Sequence, residues 1–200
     1  MAPPDRPRAS LRDRSKRRAM QAIQAAAIEL VEARGYDAVS VEEIAMLAEV
    51  SPRSVYRHFE TKEGVFLWDE GDLPLLEEVA TRLAIVPPLE AVRLAVHQLF
   101  DGRFDTDRPG MLRRIRLIYS VPELEAAAQR QIDEFRHALA AILASATGRN
   151  ADDLRIQVVA AAAIGALTVA IQAWAARNGE RPFAELVDEG FQILAGGLQL

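Results

Sequence analysis

Apolar residues recur every three or four positions along most of this chain, and hardly any stretch alternates apolar and polar residues. The first apolar stripe consists of Ile23, Ala26, Ala27, Leu30 and Val31. This spacing is typical of an amphipathic helix, which we predict over residues 12–34 with Gly35 as its C-cap. Because alternation bounded by turn residues is nearly absent, the sequence predicts an all-α fold of about nine helices.

Residues 40–62 are predicted to form two short helices joined by a tight turn. Ser40 and Glu43 make a capping-box pattern, which satisfies free backbone N–H groups at the start of the first helix. Ser51 is the N-cap candidate of the second helix, and Pro52 stands at its first position, where the missing N–H is tolerated. Two capped helices at this spacing have the layout of a helix-turn-helix that reads DNA.

The second of these helices has one apolar side. Val55 and Phe59 lie four residues apart and are expected to pack inward. The side chains left on the outer faces are Arg53, Ser54, Tyr56 and Arg57. These are the polar and basic groups that a DNA major groove would meet.

Six further helices are predicted after residue 61. Their expected ranges are residues 62–83, 89–100, 111–119, 122–147, 152–177 and from 182 onward, with a loop at residues 102–110. The breaks fall where Pro or Gly interrupts the apolar periodicity, as at Pro87, Gly148 and Gly179. The helix at residues 62–83 would connect the helix-turn-helix to the rest of the chain.

The last two predicted helices carry extensive apolar surface. The final one has a continuous apolar face, and the one before it is small and apolar around much of its circumference. Two such helices from each of two subunits would form a four-helix dimer interface. The expected interface residues are Ile164, Leu167, Ile171, Leu186, Val187, Phe191, Leu194 and Leu198. The alternative is that both helices only close the core of a single chain.

Charge is distributed unevenly, although the net charge of −5 alone argues weakly against nucleic acid. Residues 1–20 carry seven Arg or Lys and two Asp, whereas residues 61–200 carry 20 acidic and 14 basic residues. A basic amino-terminal end is therefore joined to an acidic body, and the basic end is suited to DNA. The chain has no cysteine and its three histidines lie far apart in sequence, so neither a metal nor a cofactor is expected.

One segment, residues 158–174, is a candidate membrane span. It is mostly alanine and contains Thr168 and Gln172, so we predict a buried helix and no membrane partner. The amino terminus has the arginines of a signal peptide but lacks the apolar run that should follow them. A cytoplasmic protein is therefore expected.

Residues 19–66 resemble the DNA-binding domain of the tetracycline-repressor (TetR) family of bacterial regulators. The matching positions are Ile23, Ala26, Leu30, Gly35, Tyr36, Ser40, Val41, Ile44, Ala45, Ala48, Val50, Ser51, Val55, Tyr56, Arg57, His58, Phe59, Lys62 and Glu63. The string Tyr-x-His-Phe-x-x-Lys within this set is specific. Glu49 departs from the family pattern, which usually has glycine in this turn, and a positive φ there would cost glutamate about 1 kcal/mol relative to glycine.

The resemblance implies a role for each matching polar position. The base-facing positions are Pro52, Arg53, Ser54 and Tyr56, and the phosphate-gripping positions are Ser40, Tyr56, His58 and Lys62. Arg53 is expected to bind guanine O6 and N7 bidentately, which is worth about 1–3 kcal/mol of discrimination. For His58 the alternative is a buried, hydrogen-bonded core histidine. For Arg57 a phosphate contact and a solvated surface charge both stay open.

The resemblance also implies a division of the chain. We expect a basic flexible arm at residues 1–11, the helix-turn-helix domain at residues 12–62, and an effector-binding and dimerisation domain at residues 63–200. The basic residues of the amino-terminal end are Arg6, Arg8, Arg12, Arg14, Lys16, Arg17 and Arg18. They could follow the DNA backbone or enter the minor groove, or the arm could be only a solubilising tail.

Residues 111–131 and 152–174 resemble the C-terminal domain of a TetR subgroup associated with acyl-CoA-like ligands, which includes mycofactocin-linked regulators. Such a ligand implies an apolar tunnel for its chain and cations for its head. The expected pocket residues are Leu94, Phe100, Leu112, Arg113, Ile115, Arg116, Tyr119, Phe135 and Trp174. Arg114 belongs to the same basic cluster, and the alternative is that these arginines pair with carboxylates of the acidic body.

These features predict a dimeric, ligand-responsive DNA-binding transcriptional regulator. We expect a repressor that a small hydrophobic, acyl-CoA-like effector releases from palindromic double-stranded operator DNA, with the helix at residues 62–83 as the lever. One alternative is an effector-independent, architectural DNA-binding protein. The other is a helical enzyme, but the sequence shows no nucleophile constellation, phosphate loop or metal-ligand spacing.

Overall fold

The structure of the protein is a computed structural model that describes residues 11–100 and 103–198. These residues form eleven helices and no strand. The helices are α1 (Leu11–Arg34), α2 (Val41–Leu47), α3 (Pro52–Phe59), α4 (Lys62–Leu67), α5 (Asp72–Arg82), α6 (Pro88–Phe100), α7 (Arg103–Thr106), α8 (Arg108–Ser120), α9 (Pro122–Thr147), α10 (Leu154–Ala176) and α11 (Phe183–Ala195). The predicted all-α fold is confirmed.

The chain divides into two compact units, Met1–Trp68 and Asp69–Leu200. The first unit contains α1 to α4, so α4 belongs with the helix-turn-helix rather than with the second unit. Its core consists of fully buried apolar residues, among them Ile23, Ala27, Ile44, Ala45, Val55, Val65 and Phe66. Of the arm expected at residues 1–11, residues 1–10 lie outside the described part of the chain, and Leu11 is the first residue of α1.

The local capping signals of the helix-turn-helix are realised as the sequence predicts. Ser40 accepts a hydrogen bond from Glu43 N, and the Glu43 carboxylate accepts one from Ser40 N, which completes the capping box. Ser51 caps α3, where Pro52 occupies the first turn. Glu49, in the turn between α2 and α3, adopts a φ of 54°, which is the conformation that makes glutamate unfavourable there.

The single helix expected at residues 62–83 is wrong, because the structure breaks it between α4 and α5. Trp68 is extended, with φ −56° and ψ 128°, and the Asp69 carboxylate accepts a hydrogen bond from Gly71 N at 2.8 Å. Pro74 supplies a physical reason, because a proline inside a continuous helix removes one backbone hydrogen bond and clashes with the preceding turn. Pro74 is tolerated instead in the first turn of α5.

The prediction of a loop at residues 102–110 is also wrong in part, because α7 lies within that range and α8 starts at Arg108. Asp107 caps α8 by accepting a hydrogen bond from Gly110 N at 3.2 Å. A Cβ at residue 110 would overlap the Asp107 carboxylate, so glycine here permits the cap to sit close to the helix. The Asp, Pro and Gly that indicated a loop therefore form a helix start.

The core of the second unit forms where α9, α10 and α11 pack together with α6. Its fully buried large side chains are Leu124, Leu139, Leu143, Trp174, Val79 and Val187. Phe104 of α7 stacks on Phe183 with ring centroids 4.0 Å apart and meets Trp174 edge-on at 5.0 Å. These aromatic contacts join the start of α11 to the end of α10.

The helix expected to be buried at residues 158–174 is buried on one side only. Ala160, Ala163 and Ala170 of α10 are buried, while Val158 and Val169 are exposed. By length and composition α10 is the one helix in the described residues that could cross a membrane, and it packs here in a helical unit against α9 and α11. The final helix is shorter than the apolar pattern indicated, because α11 ends at Ala195.

Candidate DNA-binding surface and effector groove

The recognition helix α3 separates its apolar and polar side chains as expected. Val55 and Phe59 are buried, whereas Arg53 and Arg57 are exposed and Tyr56 is 48% exposed. Pro52 is exposed at the first turn. The outer face of α3 therefore presents two guanidinium groups and a phenol, which are the groups that read bases and grip phosphates.

The two arginines of α3 differ in how far they are engaged. Ser51 Oγ and Ser54 Oγ lie 2.9 Å apart, and Arg57 Nη2 donates to Ser54 Oγ at 3.4 Å. Arg53 has no side-chain partner among the residues that the structure describes. Its guanidinium is thus available for a bidentate contact, while Ser54 and Arg57 support each other.

His58 is half-buried at the end of α3. Burial lowers the pKa of its imidazole, and the nearby positive charges of Arg57 and Lys16 act in the same direction. Its ring meets Phe59 edge-on, and in the described part of the chain it has no hydrogen-bond partner. This arrangement does not match a hydrogen-bonded core histidine.

Ser40 and Lys62, two of the positions expected to grip phosphate, are engaged within the domain. The Ser40 hydroxyl donates to the Glu43 carboxylate at 2.8 Å. Lys62 Nζ donates to the Tyr36 carbonyl oxygen at 2.6 Å and lies 3.7 Å above the Tyr36 ring. The Tyr36 hydroxyl in turn donates to Glu63 at 2.7 Å. A phosphate contact by Lys62 would exchange this cation–π contact for an ion pair.

Three arginines of α8 differ in their surroundings. Arg114 Nη2 donates to Asp69 at 2.9 Å, and both side chains are nearly buried. Arg116 is exposed and donates to the side-chain oxygen of Asn178. Arg113 is exposed. Arg114 therefore follows the alternative of pairing with a carboxylate, whereas the charge of Arg116 is met by a neutral amide.

A groove of about 550 Å³ lies between α8 and α10. It is lined by Ile115, Arg116, Tyr119, Ser120, Gln172, Ala175 and Ala176. Burial raises the pKa of the Tyr119 phenol, and a side-chain hydrogen bond with Gln172 opposes that effect. The phenol is therefore a neutral hydrogen-bond donor at pH 7. The groove combines an apolar floor, a cation and several neutral polar groups.

Three of the nine expected pocket residues line this groove, namely Ile115, Arg116 and Tyr119. The other six do not line it: Leu112 and Trp174 are buried in the core, Leu94, Phe100 and Phe135 are half-buried, and Arg113 is exposed. Four further residues line the groove and were not expected from the sequence, namely Ser120, Gln172, Ala175 and Ala176. Gln172 could have been noticed as a polar side chain in the otherwise apolar α10.

The expected dimer residues fall into three groups. Leu186, Val187 and Phe191 are buried within the single chain, Val187 being 1% exposed, so they have little surface left for a second copy. Ile164, Leu167, Ile171 and Leu194 are half-buried. Leu198 lies beyond α11 with a positive φ of 60° and does not continue its apolar face. The apolar residues of α11 are buried because this helix packs against α10 and α6 of the same chain.

The apolar surface that stays uncovered lies elsewhere on the same two helices. Its exposed members on α10 are Leu154, Val158, Ala161, Gly165 and Val169. A shallow groove of about 370 Å³ runs between this side of α10 and Ile193 of α11. We call this surface the α10 stripe. Small residues along it would let another helix approach closely.

Two family profiles match the chain, one for each unit. The profile described as "Bacterial regulatory proteins, tetR family" matches residues 23–67. The profile described as "MftR C-terminal domain" matches residues 86–199. The first covers the helix-turn-helix, and the second covers α8, α10 and the grooves beside them.

Three relatives are similar to most of the chain. The transcriptional regulator TcmR of Streptomyces glaucescens is 35% identical over 153 residues, which are 72% of this chain and 66% of TcmR. A regulator named MftR for mycofactocin biosynthesis, from Mycobacterium tuberculosis, is 27% identical over 88% of this chain and 89% of its own length. The solved structure of Thermus thermophilus FadR in complex with lauroyl-CoA has a TM-score of 0.56 at 25% identity, with 90% of this chain and 95% of FadR covered.

Proposed function

The chain belongs to the tetR family of bacterial regulatory proteins, and we propose that it is a transcriptional repressor. It would act as a cytoplasmic homodimer that stays on its operator until an acyl-CoA-like effector releases it from the DNA. The observation that carries this proposal is the outer face of α3. There Arg53 and Tyr56 are exposed at the positions where the family reads bases, and no described residue engages Arg53. The guanidinium is free to bind a guanine edge.

A homodimer is supported by the α10 stripe. Val169 is 63% exposed on this stripe, next to Ala and Gly residues that leave room for a second helix. Burying it against its own copy would remove apolar surface from water and would also pair two recognition helices. Paired helices one turn of DNA apart fit a palindromic operator, with half-sites about 34–36 Å apart.

An acyl-CoA-like effector is supported by the groove between α8 and α10. Ile115 and Ala175 give it an apolar floor, and Arg116 supplies a cation at its rim. Arg114 is committed to Asp69, so Arg116 is the better candidate to meet the effector's anionic head. The lauroyl-CoA bound by Thermus thermophilus FadR, which is 25% identical to this chain, supports the same ligand class.

The proposal is tested by titrating lauroyl-CoA into the protein in the presence of operator DNA obtained by selection from random sequences. We expect the ligand to weaken operator binding, typically by about 5–150-fold. Arg116→Gln should weaken lauroyl-CoA binding roughly tenfold or more, because a charge-assisted hydrogen bond is lost, while operator affinity is retained.

The matched control is Arg130→Gln, which removes an exposed arginine of α9 that lies outside the groove. It should leave lauroyl-CoA binding unchanged. Tight operator binding that no acyl-CoA weakens would contradict the effector part of the proposal and favour the effector-independent alternative. Failure to select any operator would contradict the DNA-binding part.

A further inference from the structure

The last residue of the first unit is fastened to the recognition helix and to α1. Trp68 accepts a hydrogen bond on its carbonyl oxygen from Gln24 Nε2 at 2.9 Å, and its N–H donates to Gly64 O at 3.1 Å. Its ring meets Phe59 edge-on with centroids 6.1 Å apart. Phe59 is the buried final residue of α3. A displacement of Trp68 would therefore change its contact with the last residue of α3.

The next residue in the chain is fastened to the helix that lines the effector groove. Asp69 accepts a hydrogen bond from Arg114 Nη2 at 2.9 Å, and the two side chains are 10% and 13% exposed. The other Asp69 oxygen accepts from Gly71 N, so the carboxylate is fixed at both oxygens. On α8, Arg114 is directly followed by Ile115 and lies two residues before Arg116, both of which line the groove.

We propose that Asp69 and Arg114 are the positioning pair that couples the effector groove to the recognition helix. The inference rests on the proposed function for the existence of an effector. Trp68 and Asp69 are consecutive, with Cα atoms about 3.8 Å apart, so the contacts of Trp68 with α1 and α3 and the ion pair of Asp69 with α8 act on neighbouring residues. A nearly buried ion pair suits this role because separating its charges is costly, so it moves as one piece.

A purely structural role makes a different prediction. If the pair only stabilised the second unit, its removal would lower the melting temperature and leave the effect of ligand on DNA binding unchanged. If the pair couples the effector groove to the recognition helix, its removal leaves ligand binding and operator binding intact but makes each independent of the other. The quantity that distinguishes the roles is the ratio of operator affinities without and with ligand.

The test uses the Asp69→Asn/Arg114→Met double variant, which removes both charges and so leaves neither one buried alone. Arg114→Lys is the conservative variant, and Asp133→Asn is the control, since Asp133 forms an ion pair with Arg136 within α9 at 3.1 Å. Operator affinity, lauroyl-CoA affinity and the affinity ratio are measured for each. The ratio should fall from the wild-type value to about 1 in the double variant. It should be largely kept in Arg114→Lys and in the control.

A second readout does not require an effector. Amide hydrogen exchange over residues 108–120 is compared with and without saturating operator DNA. In the wild type we expect operator to change the exchange of α8, and in the double variant we expect that response to vanish although operator still binds. By reciprocity, DNA must influence α8 if α8 influences DNA binding.

The outcomes separate the two proposals. A wild-type ratio of 1, together with an exchange response that is present in the wild type and absent from the double variant, would contradict the acyl-CoA effector and leave the positioning pair supported. The pair would be overturned if operator left the exchange of α8 unchanged in the wild type. A double variant that kept both the wild-type ratio and the exchange response would overturn it equally.

Discussion

Ser40 and Glu43 cap each other at the start of α2, with Ser40 N donating to Glu43 Oε2 at 2.9 Å and Glu43 N donating to Ser40 Oγ at 3.2 Å. Arg34 at the end of α1 donates to the same carboxylate at 2.7 Å. The hydrogen bond from Arg34, followed by those from Ser40, lowers the pKa of Glu43 from its usual 4.5 to about 2. One carboxylate thus joins α1 to α2.

This pKa predicts how stability depends on pH. Because the folded pKa lies below the unfolded value, ionised Glu43 stabilises the fold above about pH 4.5, and this contribution is lost as the pH falls toward 2. Glu43→Gln should therefore be less stable than the wild type at pH 7, and the difference should shrink at pH 3. Chemical denaturation at both pH values measures this difference.

Glu42→Gln is the control for that experiment, because Glu42 also lies in the first turn of α2 but takes no part in the capping box. A Glu43→Gln deficit in the free energy of unfolding that stayed constant from pH 7 to pH 3 would contradict the lowered pKa of Glu43.

Glu49→Gly is expected to stabilise the protein. Glu49 adopts a φ of 54° in the turn before the recognition helix, where a Cβ costs roughly 1–2 kcal/mol and glycine has no Cβ. Glycine loses part of this gain through its greater freedom when unfolded, so a net stabilisation of about 1 kcal/mol is expected. Glu49→Ala, which keeps the Cβ, should give no such gain in the free energy of unfolding.

Arg53→Ala should lower the sequence specificity of DNA binding. Loss of one bidentate guanine contact is worth about 1–3 kcal/mol at that base pair and should leave binding to other sequences nearly unchanged. Arg57→Ala is the comparison, because Arg57 is engaged with Ser54 and is not expected to read a base. Affinities for the selected operator and for single-base variants of it measure both effects. Equal loss on every sequence would show that Arg53 only contacts phosphate.

Val169→Glu should convert the protein to a monomer. The side chain is exposed in the single chain, so the substitution spares the core, but it would place two charges in an apolar interface. Ala141→Glu, at an exposed position of α9, is the matched control. Sedimentation velocity should find the first variant monomeric and the control dimeric. A dimeric Val169→Glu protein would show that the α10 stripe is not the interface.

The sequence predicts those features of this fold that depend on near neighbours in the chain. The N-caps Ser40 and Ser51 and the C-cap at Gly35 depend on residues within one helical turn, and they are found where they were expected. The break before α5 has a local signal in Pro74. The bond between Asp69 and Arg114, 45 residues apart in the chain, has none.

Periodicity shows that a helix face is covered but does not show what covers it. Val187 and Phe191 carry the spacing of an interface, yet the single chain already buries them. Val169 is not among the expected interface residues, and it is exposed. Leu112 and Trp174 were expected to line the effector pocket, but they are buried in the core. Their apolar character could not distinguish the two places, because an apolar side chain can fill a core as well as line a pocket.

Footprinting of the selected operator, with and without lauroyl-CoA, tests whether a dimer occupies two half-sites and whether the ligand releases it. We expect two protected half-sites whose centres lie about 10–10.5 base pairs apart, or a multiple of that spacing, and both should lose protection together as ligand is added. Protection of a single site, or protection of both that persists after lauroyl-CoA has saturated the protein, would contradict this prediction.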